Sequence, residues 1–84
     1  ENRPASLETI YNHVLESVGE VDLTQPEGRQ SVVNQFYNEH GFDMKGAVAY
    51  LAERLDVSEP SIYRYMNNAR YDSEQAVNGH DIND

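Results

Sequence analysis

The sequence predicts an all-α fold, a small domain of three to four helices containing a helix-turn-helix, within its 84 residues. Three observations carry that expectation. Apolar residues recur at i, i+3, i+4 and i+7 in separate stretches, the spacing of one helix face. Ser, Thr, Asp and Gly stand at the ends of those stretches, where helices are capped or stopped. Residues 51–65, LAERLDVSEPSIYRY, read as a helix, a tight turn and a second helix.

The first helix is expected over about Leu7 to Val18. Leu7, Ile10, Tyr11, Val14, Leu15 and Val18 form its apolar face, Ser6 its N-cap and Gly19 its stop. Residues 1–5 read as disordered and residues 19–24 as a linker that Leu23 tacks down. Thr24-Gln25-Pro26-Glu27 has the spacing of a capping box, with Pro within the first turn. Gly28 weakens that turn and leaves the start of the second helix open. Val32, Val33, Phe36 and Tyr37 make its apolar face, and His40-Gly41 ends it, Gly41 being the expected left-handed residue.

The third helix follows Phe42-Asp43, with Asp43 as expected N-cap and a stripe of Met44, Ala47, Val48, Leu51, Ala52 and Leu55. Gly46 suggests a close backbone approach. Asp56-Val57-Ser58 makes the turn, and Ser58 caps a fourth helix from Glu59 to about Asn68, with Ile62, Tyr65 and Met66 inward. Residues 71–84 are polar and acidic and read as a flexible tail. The expected organisation is an N-terminal helix and linker (1–24), a helix-turn-helix domain (25–70) and an acidic tail (71–84).

Composition excludes more than it assigns. Without cysteine there is no disulfide framework, thiolate metal site or Cys nucleophile. No apolar run approaches the ~18 residues of a membrane span, and no signal-peptide pattern is present. His13, His40 and His80 lack ligand spacing, so no metal is expected. No nucleophile elbow, phosphate loop or calcium loop occurs, so neither an enzyme nor a cofactor is expected. A chain opening on Glu1 rather than Met is expected of a piece of a longer protein.

The net charge of −9 weighs against nucleic acid until its distribution is considered. Residues 1–42 carry seven acids against Arg3 and Arg29; residues 71–84 carry four acids and no base. In residues 43–70, Asp43, Glu53, Asp56 and Glu59 are balanced by Lys45, Arg54, Arg64 and Arg70. The motif is neutral between acidic flanks. It supplies the local positive charge that phosphates demand only weakly, so low affinity is expected of this chain alone.

With Ile62 and Tyr65 inward, 3.6 residues per turn leaves Glu59, Pro60, Tyr63, Arg64 and Asn67 outward. The second helix of such a motif lies in the DNA major groove. Arg64 is placed to bond guanine edges or a phosphate, Asn67 to pair with adenine or contact the DNA backbone, and Tyr63 to meet a phosphate or a thymine methyl. Ser58 and Ser61 offer hydroxyls. Glu59 either accepts from cytosine or favours the helix N-terminus through the macrodipole. Lys45 or Arg54 is expected near the DNA backbone. The rival expectation is a protein-interaction module that keeps the fold without binding DNA.

From Leu7 to Arg70 the sequence resembles the C-terminal part of the YheO-like, or DauR-like, bacterial regulators. Tyr11–Gly19 resembles the helix that joins sensor to DNA-binding domain. Arg29–Tyr37 followed by Gly41-Phe42 resembles the second element. Lys45-Gly46-Ala47-Val48, leading into Val57-Ser58, Ile62-Tyr63 and Tyr65, resembles the most specific signature. Asp56 departs from the family's usual Gly, and Glu59-Pro60 from a frequent Arg with a small or aromatic neighbour. The resemblance implies a transcriptional regulator binding double-stranded DNA as a homo-oligomer, often a dimer, in its full-length form, and the lack of cysteine fits a cytoplasmic protein. The resemblance also implies a small-molecule effector bound by a sensor domain that is absent from this chain.

Overall fold

The structure, a computed structural model, describes residues 6–78, with side chains through Tyr71. The expected disorder of residues 1–5 lies outside the described residues, as do residues 79–84 of the expected tail. Four helices follow in order: α1 (Leu7–Val18), α2 (Pro26–Asn38), α3 (Ala47–Leu55) and α4 (Glu59–Asn78), with a short 3-10 segment (Gly41–Asp43) before α3. No strand occurs among the described residues.

The core forms where the predicted apolar faces meet. Val14 of α1, Val32, Val33 and Phe36 of α2, Leu51 of α3 and Ile62 of α4 are fully buried. α2 packs against both α1 and α4, and α3 packs against α4. α1 contributes Tyr11 and Val14 to the same cluster as the helix-turn-helix. Buried large aliphatic and aromatic side chains contribute about 1.5–3 kcal/mol each, so this one cluster dominates the favourable side of folding.

The start of the chain folds as its local chemistry dictates. The Ser6 hydroxyl accepts the Thr9 backbone N–H at 3.1 Å, satisfying a donor that the first turn leaves orphaned. Gly19 ends α1 at φ 78°, its N–H reaching the Leu15 carbonyl.

Four boundaries differ from the sequence expectation. Thr24 does not cap α2: the N-cap is Gln25 without a side-chain bond, and Pro26 opens the helix. The Thr24 hydroxyl donates instead to the Asp22 carboxylate, which also accepts the Thr24 N–H at 3.0 Å. At the end of α2 the left-handed residue is His40 (φ 64°), not Gly41. Asp43 closes the 3-10 segment rather than capping α3; Gly46, left-handed at φ 81°, precedes Ala47. No atom crowds Gly46, so its role is that conformation and not a close approach. Finally, α4 continues to Asn78 instead of stopping near Asn68. Ala69, 4% exposed, extends the buried stripe of Ile62 against the core, and no Gly or Pro intervenes before Gly79.

Candidate nucleic-acid interface

The turn between α3 and α4 sets the geometry of the exposed surface. Asp56 adopts the left-handed conformation (φ 60°, ψ 47°) after Leu55. Its N–H bonds the Glu53 carbonyl at 3.3 Å, and the Val57 N–H bonds the Ala52 carbonyl at 3.0 Å. That pair of bonds is a Schellman motif, which satisfies the carbonyls α3 leaves open. Asp tolerates this conformation better than most L-residues. Val57 then turns inward onto the core, and Ala52, 7% exposed, leaves room for α4 to cross.

Ser58 opens α4. Its hydroxyl receives the Ser61 N–H at 3.4 Å and lies 3.1 Å from the Ser61 hydroxyl. Its carbonyl accepts the Ile62 N–H at 3.2 Å. Pro60 sits in the first turn, where no helical hydrogen bond is lost. With Ile62 fully buried, Glu59, Tyr63, Arg64 and Asn67 are exposed on α4, and Ser61 is half-buried beside Ser58.

Tyr63 is 54% exposed, unusual for a large aromatic. It and Glu59 form one wall of a shallow groove whose other wall is Met44, Gly46, Val48 and Ala49. Lys45, exposed, lies on the segment that borders this groove. The structure thus brings Lys45, Glu59 and Tyr63 to one end of the helix pair. Arg64 and Asn67 lie further along α4.

Arg54 is elsewhere. Its guanidinium lies 4.8 Å from the centre of the Tyr50 ring and 5.9 Å from that of Tyr11. The two rings meet edge-on at 5.8 Å. Arg54, exposed on α3, thus forms a cation–π bridge between α3 and α1. Burial, set partly against Arg54, pushes the Tyr11 hydroxyl above its ordinary range.

Sequence reasoning missed the residues that hold α4 in place. Arg29 donates to the carbonyls of Leu23 and Thr24, both at 3.0 Å, and to the Tyr65 hydroxyl at 3.2 Å. The Gln30 amide donates to the Tyr65 carbonyl at 2.9 Å, and its oxygen accepts from Asn68 at 3.1 Å. Arg29 ties the linker, α2 and α4 together, and Gln30 fixes α4 by side chain and backbone. One signal existed: Arg29 is the sole Lys or Arg between residues 6 and 42.

A short helix, a Schellman turn and a longer helix with an exposed polar face define a helix-turn-helix domain. The helix-turn-helix domain found in YheO-like regulators matches residues 6–67, and the chain belongs to that family. Neither a curated protein nor a solved structure matches the chain.

Proposed function

We propose that this domain binds duplex DNA sequence-specifically, with residues 59–68 of α4 in the major groove. The observation that carries the reading is the α3–turn–α4 geometry with Tyr63, Arg64 and Asn67 exposed on one helix. In the proposed complex Arg64 and Asn67 meet base edges, the geometry that suits guanine and adenine respectively. Tyr63 meets a thymine methyl or a phosphate. Ser58, Ser61 and Lys45 contact the backbone, and Glu59 accepts from a cytosine amino group. Family membership supports a transcriptional regulator of this kind, acting inside the cell on two-fold sites as a homo-oligomer. Its small-molecule effector would bind a separate sensor domain. No helix among the described residues is long and apolar enough to cross a membrane.

The test is an amide-shift titration with a mixed-sequence duplex at low salt. Shifts concentrated at Ser58–Asn67 and erased by salt are expected. No shift there at high duplex concentration would overturn the reading in favour of a protein-interaction module. The large aromatic surface that Tyr63 leaves exposed beside a groove of mixed polar and apolar lining is the observation that favours that rival.

A further inference from the structure

The linker between α1 and α2 forms a surface that DNA reading leaves unused. Leu15, Gly19, Glu20, Val21, Asp22 and Leu23 line a groove of about 580 Å³. It continues at Val21 and Asp22 into a second hollow, whose lining includes Glu27. Leu15, Val21 and Leu23 are each only half-buried on the core. Glu20, Asp22 and Glu27 are exposed at the rim, and no Lys or Arg lines either hollow.

The walls are fixed without any occupant. Arg29 pins the Leu23 and Thr24 carbonyls. The Asp22 carboxylate holds Thr24, and the Asp22 carbonyl accepts the Gln25 N–H at 3.0 Å. Gly28 packs so closely on the Asp22 carbonyl that a Cβ has no room there. A groove already in shape asks little ordering of its own residues on binding.

We propose that this groove docks a short segment of a partner protein carrying aliphatic side chains between lysines or arginines. The aliphatic floor takes the apolar side chains, and three carboxylates face the cations. Charge argues against the other occupants. A second copy of this chain, at net −9, would bring acid against acid. Two of its six Lys and Arg, Arg29 and Arg54, are already engaged within its own fold. A nucleic acid would set phosphates against the same carboxylates. The proposal stands apart from DNA binding, since it uses the linker and not the exposed face of α4.

The experiment titrates the isotope-labelled chain with a synthetic amphipathic helical peptide of leucine and lysine. One control peptide has glutamine for every lysine, another serine for every leucine. Two protein variants, Glu20→Lys and Val21→Ser, probe rim and floor. Neither side chain makes a hydrogen bond that holds the linker, and an undisturbed Ile62 signal confirms each fold. Expected are shifts clustered at Leu15 and residues 19–23, lost with either control peptide. Affinity should fall about fivefold for Glu20→Lys, the effect of a single exposed charge, and by a similar factor, about fivefold, for Val21→Ser. Shifts scattered over all exposed acids, or affinity untouched by both variants, would overturn the proposal. So would shifts at Val21 that depend on protein concentration alone, which mean a second copy, or shifts at Val21 caused by duplex.

Discussion

His40 carries the left-handed step after α2, although a glycine follows it directly. The reason lies in the ring beside Gly41. Phe36 is fully buried and meets Phe42 edge-on at 4.9 Å between ring centres. A Cβ on Gly41 would fall 2.6 Å from Phe36 Cδ2, far inside contact distance. Gly41 is therefore required for space and not for its φ. Gly41→Ala should destabilise by about 2 kcal/mol, since overpacking a fixed core ring forces rotamer or backbone strain. Gly19→Ala meets open space but must hold φ 78° and ψ −154°, a region essentially reserved for Gly, so it should cost a similar amount, about 2 kcal/mol, through the backbone alone. Urea midpoints of the two variants check both losses; an unchanged midpoint for Gly41→Ala would mean the ring moves aside freely. Sequence showed that a glycine ends α2. It did not show which of two reasons placed it there, because that depends on a ring five residues upstream.

Elements of this fold are joined by polar straps as well as by the core. Arg29→Met keeps much of the aliphatic length and removes the donors to Leu23, Thr24 and Tyr65. Leaving part-buried acceptors without partners costs about 2 kcal/mol. Amide exchange should quicken first at residues 22–25 and at the α4 residues near Tyr65. Protection lost only at the linker would show that Arg29 does not hold α4. Two carboxyls add a pH dependence at the ends of α2. The Thr24 hydroxyl, then its N–H, hold Asp22 below the usual carboxylate range. The Gln35 amide, helped against desolvation by His13 at 2.8 Å, does the same for Glu39. A depressed native pKa contributes stability that is complete above the unfolded value, about 4, and is lost as pH falls through the native value. The urea midpoint should therefore drop on acidification below that point. The double variant Asp22→Asn, Glu39→Gln should drop less; an equal drop would place the acid sensitivity elsewhere. Helix existence was legible from period alone, because each stripe that made the core also made the pattern. Helix ends were less so. Thr24 and Asp43 had the chemistry of caps, but Asp22 claims the Thr24 hydroxyl and the 3-10 segment absorbs Asp43. The continuation of α4 was readable in principle, since Ala69 lies seven residues beyond Ile62 on the same face.

At the scale of the whole molecule, charge decides what kind of DNA binding this chain can perform. The sequence set out a neutral motif between acidic flanks, and it named the residues that stand exposed on the first turns of α4. What it could not show was how few cations serve that face. Arg54 stacks on Tyr50 and Tyr11 while staying exposed, and Arg29 is held by the linker and Tyr65. Both depend on rings or carbonyls brought together only by folding. Lys45, on the segment beside the groove, and Arg64, on α4, are the exposed cations assigned to DNA. Each phosphate neutralised contributes about −0.9 to the slope of log K against log salt. If both meet phosphates the slope is about −2, and affinity falls about tenfold between roughly 50 and 200 mM salt. If Arg64 instead reads a guanine, Lys45 alone sets a slope near −1. Arg64→Ala then leaves the slope unchanged but removes about 1–3 kcal/mol of discrimination at one base pair. The two roles separate in one experiment, the salt dependence of wild type and Arg64→Ala on a selected site and on random duplex. A wild-type slope of about −2 that Arg64→Ala halves on both duplexes makes Arg64 a phosphate contact. A slope the variant leaves alone, with loss confined to the selected site, makes it the base-reading residue of α4. A wild-type slope near zero means that no phosphate is engaged, and DNA is then not the partner of this face.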